Sequence, residues 1–126
     1  MEKITCICVM RELFTALSCL EKELTEIHGV NLNEAMVLCA VGNEDVTASD
    51  ISNRTGMLPS HTSKVIGSLE KLRLIERQLG KQDKRKIYLS LTQEGKSRLE
   101  RIKIHELDIP DILEPLFKKY AKQQVP

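Results

Sequence analysis

Apolar residues recur at helical spacing over most of the chain, and the longest such run lies at its beginning. Members of this run are separated alternately by four and three positions, the a/d pattern of a coiled coil: Cys6, Met10, Leu13, Leu17, Leu20, Leu24 and Ile27. The pattern predicts one long first helix that ends at Gly29, with His28 in its last turn. This helix either covers its own domain's core or also meets a second subunit. We favour the second subunit, because a helix of about 25 residues is about 37 Å long, more than a small domain needs to cover.

Three further helices are predicted before the helical spacing stops. Asn31 with Glu34 resembles a capping box and starts an almost wholly apolar core helix over residues 32–41. Thr47 with Asp50 starts a short helix over residues 48–54. A glycine-containing turn at residues 55–57 leads to a helix that begins at Pro59, a favourable first helical residue. Two short helices joined in this way form a helix-turn-helix, whose second helix enters the DNA major groove.

The helix that follows Pro59 has one apolar and one polar face. Val65, Ile66, Leu69 and Leu72 form a stripe that we expect to be buried. The opposite face carries short hydrogen-bonding groups interrupted by cations: Ser60, His61, Ser63, Lys64, Ser68 and Lys71. Such a face suits a polar groove.

Beyond residue 73 the period changes from helical to two, which predicts a β-hairpin. Its strands are expected over residues 74–78 and 86–92, with Ile87, Leu89 and Leu91 on one face. The connection, residues 79–85, contains a glycine and several cations that cannot be buried, so it projects into solvent or onto phosphate. Thr92 then caps a helix that runs to about residue 106, and an apolar tail interrupted by Pro110 and Pro115 is expected to pack back on the first helix. The predicted fold is mainly α with a small β-hairpin, within the α+β class.

Charge is distributed unevenly along the 126 residues, although the net charge is only +1. Residues 1–53 carry three Lys/Arg and nine Asp/Glu, whereas residues 54–86 carry nine Lys/Arg and three Asp/Glu. A cationic segment on an otherwise acidic molecule is expected where only that segment faces a polyanion. Chance segregation of solvated charge is the alternative.

Other classes of chemistry find little support in the sequence. An aromatic content of 3% without Trp argues against binding single-stranded nucleic acid by stacking. No nucleotide loop, carboxylate dyad or catalytic pairing of the three histidines is visible, so neither an enzyme nor a cofactor is predicted. Cys6, Cys8, Cys19 and Cys39 lack metal-ligand spacing, and we expect small buried thiols in a reducing cytosol. No secretory or membrane segment is recognised, so a cytoplasmic protein is expected.

Residues 83–95 resemble the wing of the MarR family of bacterial transcriptional regulators, whose pattern is D-x-R-x-x-x-L-x-L-T-x-x-G. Residues 69–71 and 74–77, the helix-turn-helix over residues 47–68 and the order of elements are also similar to that family. The resemblance covers essentially the whole chain. It implies a winged helix-turn-helix at residues 32–95 within a single domain, and dimerisation helices at residues 1–28 and 96–126.

The resemblance further implies a homodimer that binds a pseudo-palindromic operator in double-stranded DNA, represses transcription and is released by a small molecule of unknown identity. On this basis the DNA-binding residues are Ser60, His61, Thr62, Ser63, Lys64, Ser68, Arg77, Lys81, Lys84, Arg85 and Lys86. Asp83 would orient Arg85, which would reach the minor groove at the tip of the wing. The dimer interface would include Met10, Leu13, Leu17, Leu20, Leu113 and Phe117.

Two departures from the family pattern and two alternative functions accompany this interpretation. Arg73 stands where the family usually has a glycine that ends the recognition helix, and Gly67 lies inside that helix, where it could permit close approach of a neighbour. A winged-helix module that binds an acidic protein would also carry a basic hairpin. Because some members of the family sense oxidants through a cysteine near the first helix, Cys6 or Cys8 could add a thiol-based redox switch.

Overall fold

The computed structural model describes residues 7–105 and 114–115, which form five α-helices, a π-helical turn and one antiparallel β-hairpin. The elements follow one another as α1 (Ile7–Glu23), the π-turn (Leu24–His28), α2 (Leu32–Val41), α3 (Ala48–Thr55), α4 (Pro59–Lys71), β1 (Ile75–Leu79), β2 (Ile87–Leu91) and α5 (Gln93–Lys103). This order confirms the predicted winged helix-turn-helix. In the described part of the chain, no helix combines the length and the apolarity needed to cross a membrane.

Local capping explains where the central helices begin. Asn31 and Glu34 form a capping box at the start of α2, and Thr47 and Asp50 form another at the start of α3. In each box a side-chain oxygen accepts a backbone N–H that would otherwise lack a partner. Thr92 caps α5 by accepting the N–H of Gly95 at 3.0 Å. These three predicted starts are confirmed.

The sequence predicted one regular first helix that ends at Gly29. In the structure, the last residues before Gly29 form the π-turn instead. The wider turn directs Leu24 and His28 into the protein and leaves Ile27 exposed, although the heptad pattern placed Ile27 on the same face as Leu24. Arg98 Nη1 donates a hydrogen bond to the His28 carbonyl oxygen at 2.6 Å. This contact from α5 satisfies a carbonyl group at a helix end, where such groups lack partners within the helix.

The hairpin pairs Ile75 with Leu91 and Leu79 with Ile87 in an antiparallel register. Val46, in the loop before α3, adds a one-residue bridge to Leu89 through two backbone hydrogen bonds of 3.0 and 2.6 Å. Leu89 and Leu91 are buried, whereas Ile87 lies beyond the core and is exposed. Of the three apolar residues of β2, only the two at the end of the strand that meets the helices therefore belong to the core.

The core lies between α2, α3, α4 and the base of the hairpin. Its largest fully buried side chains are Leu38, Ile51, Ile66, Leu69, Leu74 and Leu89. They bring together α2, α3, α4, β2 and the turn that precedes β1. Burial of this apolar surface holds α4 and the hairpin in a fixed relation, since interiors are close-packed and resist displacement.

Arg73 keeps the turn between α4 and β1 in the geometry that a glycine would favour. Its φ is +61°, and it is the only non-glycine residue with positive φ in the described part of the chain. The Leu74 N–H donates to the Leu69 carbonyl at 3.0 Å, and the Thr92 hydroxyl donates to the Arg73 carbonyl at 2.7 Å. The turn is therefore retained despite the departure from the family pattern.

Most of α1 stands apart from the rest of the chain. None of its residues is buried, and Met10 and Phe14 are 60% and 72% exposed. Of the predicted interface residues that the structure describes, only Leu20 packs against the core of its own chain. Leu113 and Phe117, predicted for the same interface, lie outside the described residues, as does Cys6.

Candidate nucleic-acid interface

One face of α4 presents polar groups to solvent. Ser60, His61, Ser63 and Lys64 are all exposed on the first two turns of this helix. Pro59 starts the helix, and the absence of its N–H is harmless there because the first N–H groups of a helix have no partner within the helix. The four side chains are available to a ligand as the sequence predicted, and their contacts with DNA stay a prediction.

Thr62 does not lie on this exposed face, although the family resemblance implied that it contacts DNA. Its side chain is fully buried. The Thr62 hydroxyl donates to the Leu58 carbonyl at 3.1 Å and accepts from the Ser52 hydroxyl at 2.8 Å. Since Ser52 lies on α3, this pair of hydrogen bonds joins the two helices of the helix-turn-helix and supports their relative angle.

Ser68 is likewise turned away from the exposed face. Its hydroxyl donates to Glu34 Oε2 on α2, while Glu34 Oε1 accepts the Asn31 N–H at 2.9 Å. Glu34 is buried, and burial of a carboxylate is tolerated when both oxygens accept hydrogen bonds. Ser68 therefore helps to attach α4 to α2, and its contact with DNA stays a prediction.

His61 has a neighbour that restrains its ring. Asn33 Nδ2 on α2 lies 3.4 Å from His61 Nε2, near the outer limit for a hydrogen bond. If Nε2 accepts from the amide, the ring proton lies on Nδ1 and is available as a donor. Acceptors such as N7 and O6 of guanine line the major groove.

Gly80 shapes the wing, which we define as residues 79–87. Its N–H donates to the Lys86 carbonyl at 2.8 Å, and the Lys86 N–H donates to the Asp83 carbonyl at 3.1 Å. A Cβ at position 80 would collide with the Asp83 carbonyl oxygen. Glycine is required here by close approach of the backbone rather than by positive φ.

Asp83 contacts the arginine that it was predicted to orient. Its Oδ1 accepts from the Arg85 backbone N–H at 3.0 Å and from Arg85 Nε at 3.2 Å. These two hydrogen bonds are the main reason why the pKa of Asp83 lies below its ordinary value. Because the Arg85 side chain is 92% exposed, its guanidinium extends beyond the hairpin with Nε already held.

The other cations among the predicted DNA-binding residues differ in whether they pair with a carboxylate of the protein. Within the described residues, no carboxylate lies within 4 Å of the ammonium groups of Lys64, Lys81, Lys84 or Lys86. Arg77 instead pairs with Glu70, through Nε and Nη2 at 2.9 Å each. This pairing raises the pKa of Arg77 and occupies part of its guanidinium. Among the described residues, these four lysines have no close carboxylate partner, whereas Arg77 is engaged with Glu70.

A cavity of about 230 Å³ lies on the opposite side of α2 from α4. Its wall is largely apolar and comes from the end of α1, the π-turn, α2 and the end of α5: Leu20, Leu24, His28, Leu32, Ala35, Met36, Cys39, Ile102 and His105. The two imidazoles supply its polar atoms together with the Cys39 thiol. Sequence reasoning missed this site, because His28 and His105 are 77 positions apart.

The described cysteines are not buried as expected. Cys8, Cys19 and Cys39 are free and exposed in the single chain. Cys8 and Cys19 lie on α1, none of whose residues is buried, and Cys39 lies on α2 at the wall of the cavity. The prediction of small buried thiols is therefore wrong for these three residues.

Comparison with known proteins supports this architecture. Residues 28–86 match the model of the MarR family. No curated protein sequence matches the chain. Among solved structures, CouR from Rhodococcus jostii RHA1 bound to p-coumaroyl-CoA is similar, with 21% identity, coverage of 91% of this chain and 87% of that chain, and a TM-score of 0.68.

Two further structures share the fold. The S. aureus MepR–DNA complex has 17% identity, a TM-score of 0.62 and coverage of 91% of this chain and 90% of that one. A mutant of Lactococcus lactis ZitR has 18% identity and a TM-score of 0.59, and the match spans 75% of this chain but only 60% of that chain. Residues 28–86, which hold most of the winged helix-turn-helix, are therefore similar to the MarR family, and the chain shares its fold with these structures.

Proposed function

We propose that this protein is a sequence-specific regulator of transcription that binds double-stranded DNA as a homodimer. The observation that carries the proposal is the joint exposure of two surfaces, the polar face of α4 and the cationic wing. A helix of this kind fits the major groove, and an exposed arginine suits the negative potential of a narrow minor groove. The lysines without carboxylate partners would contact phosphates.

The homodimer is supported by the uncovered apolar face of α1. Met10 and Leu17 are 60% and 50% exposed, and Ile7 and Phe14 widen the same apolar surface. Large contiguous apolar surfaces on a soluble chain indicate an interaction site. A second copy would cover this face by two-fold symmetry and place one recognition helix in each half-site, about 34–36 Å apart along the DNA. Such spacing calls for a pseudo-palindromic operator.

Repression and release by a small molecule complete the proposal. A dimer that occupies an operator blocks access to the promoter. A ligand that favours another dimer geometry would release the dimer from the operator. The apolar cavity beside the π-turn is the candidate site for that ligand, because it lies between the first helix and the winged part. CouR, which shares the fold, was solved with p-coumaroyl-CoA.

A gel-shift series across salt concentrations tests the proposal. Lys64→Ala and Arg85→Ala should each weaken binding, and removal of one phosphate interaction should reduce the slope of log K against log salt by about 1. Lys22→Ala, which removes an exposed cation from α1, is the matched control and should bind like the wild type. Unchanged affinity and salt slope in both interface variants would contradict the assignment.

Two alternatives are separated by the same assay. A protein-interaction module finds support in Leu79 and Ile87, a cross-strand apolar pair that is exposed in the wing. Such a module would bind no duplex DNA at moderate salt.

A thiol-based redox switch is supported by the exposed thiols of Cys8, Cys19 and Cys39. This alternative is eliminated if peroxide treatment leaves the affinity for DNA unchanged.

A further inference from the structure

Gly67 lies in the third turn of α4, inside the helix rather than at either end. Glycine destabilises a helix interior, because it loses more conformational freedom on folding than any other residue. It is normally required by positive φ or by the close approach of another group. Positive φ occurs at Gly29, Gly42 and Gly56 but not at Gly67. The local conformation therefore does not call for glycine at position 67.

No close neighbour within the protein calls for it either. Among the described residues, no atom beyond the backbone of α4 and the two adjacent residues lies within 4 Å of the position that a Cβ of residue 67 would take. Gly80 and Gly95 differ in this respect, because a Cβ at either position would collide with a backbone carbonyl oxygen. At Gly67 the space left by the missing side chain is thus open to a group from outside the described chain.

The open space lies on the exposed face of α4. Residues spaced by four, three and four positions fall on one side of this helix: Ser60, Lys64, Gly67 and Lys71. The serine and the two lysines are exposed, whereas the side chains that α4 buries lie on the opposite side: Thr62, Val65, Ile66 and Leu69. Gly67 therefore leaves helix backbone uncovered between two lysines, each about one turn away.

This uncovered stretch differs in chemistry from the groups around it. The hydroxyl of Ser60 and the ammonium groups of Lys64 and Lys71 are polar, whereas glycine adds only the C–H groups of its Cα to this surface. Base edges in the major groove likewise present hydrogen-bonding atoms and one apolar group, the C5-methyl of thymine. Carbon atoms in contact lie about 3.5–4.0 Å apart, so a Cβ on residue 67 would occupy the space that such a methyl group needs.

We propose that Gly67 determines specificity, because its uncovered Cα lies against the methyl group of one thymine in each operator half-site. This contact rests on the proposed function and deepens it, since it names a base that the recognition helix reads. Lys64 and Lys71 would contact phosphates on either side and hold the helix at the depth that the contact requires. Such a contact explains why glycine occupies a position where the chain itself has room for a side chain.

Uracil substitution in the operator tests the contact, because uracil lacks the C5-methyl group of thymine and keeps the same hydrogen-bonding atoms. The operator is first obtained by selecting bound duplexes from random DNA. Each thymine is then replaced by uracil in both half-sites, and gel shifts are run with the wild type and Gly67→Ala. At one thymine position, uracil should weaken wild-type binding about fourfold per half-site, which corresponds to the burial of one methyl group.

Gly67→Ala should show the opposite dependence. Its added methyl group should weaken binding to the thymine operator several-fold, and uracil at that same position should restore the affinity. In chemical denaturation the same variant should be more stable than the wild type, because alanine favours a helix interior. Weaker binding together with higher stability would exclude a merely structural role for Gly67, since loss of a structural role would lower both.

Ser97→Ala is the matched control, because Ser97 is exposed on α5 and alanine raises the helix propensity there without touching α4. It should respond to every uracil substitution as the wild type does. The effect of a stabilised helix is thereby separated from the effect of a methyl group added to the exposed face of α4.

Two results would overturn the contact while the proposed function stands. One is wild-type affinity of Gly67→Ala for the thymine operator, and the other is a loss of affinity that is the same for thymine and uracil at every position. If Gly67→Ala fails to fold, wild-type binding that no uracil substitution affects would overturn the contact. If the wild type instead binds no duplex DNA at moderate salt, the proposed function fails, and the contact fails with it.

Discussion

Replacement of Arg73 by glycine should stabilise the protein, because Arg73 occupies a conformation that disfavours any residue with a Cβ. Its φ of +61° lies in the left-handed region. The contacts that hold this turn are made by backbone atoms, which glycine also has. The Arg73 N–H donates to the Glu70 carbonyl at 3.0 Å, and the Arg73 carbonyl accepts from the Thr92 hydroxyl at 2.7 Å.

The size of the gain follows from two opposing terms. Left-handed geometry costs a residue with a Cβ about 1–2 kcal/mol. Part of this gain is lost, because glycine increases the conformational entropy of the unfolded chain, which stabilises the unfolded state by about 0.4–1 kcal/mol. The exposed Arg73 side chain has no ion pair within the described residues, so its removal should add little. We therefore expect Arg73→Gly to raise the free energy of unfolding by about 0.5–1 kcal/mol, which corresponds to roughly 2–6 °C in Tm for a domain of this size.

Chemical denaturation of the wild type, Arg73→Gly and Arg73→Ala measures this gain. The alanine variant removes the same charge and side chain but keeps the Cβ, so it should show no stabilisation. A glycine variant no more stable than the alanine variant would refute the reasoning, because it would mean that the turn does not constrain residue 73 to positive φ.

Three other substitutions test packing within the winged helix-turn-helix and at the start of α5. Gly67 has open space where a Cβ would lie. Gly67→Ala should therefore raise the free energy of unfolding by up to about 1 kcal/mol, as measured by chemical denaturation. Gly95→Ala should lower it by about 1–3 kcal/mol, because the new Cβ would collide with the Leu74 carbonyl oxygen. Equal effects at the two glycines would contradict this difference in the space around them. Thr62→Val should cost about 1–3 kcal/mol, because it leaves the Ser52 hydroxyl without its acceptor. Weaker DNA binding at unchanged stability would instead indicate that Thr62 contacts DNA.

Local signals in the sequence were sufficient to predict most helix starts and the hairpin. Asn31, Thr47 and Thr92 each cap the helix that follows, because capping depends on residues no more than three positions away. The change from helical to alternating periodicity placed both strands to within one residue of their observed bounds. The open space at Gly67 was not predictable, since close approach of a neighbour depends on the whole fold.

Sequence alone determined the order of elements, the polar face of α4 and the cationic wing, because these depend on periodicity, capping and the cost of burying charge. Only the tertiary structure decided which of the predicted DNA-binding residues on α4 are exposed. Thr62 turns inward to Ser52, and Ser68 turns inward to Glu34, because packing against α3 and α2 sets the rotation of α4. Tertiary structure also brought His28 and His105 together, since contacts between residues distant in sequence arise only when the elements that carry them pack.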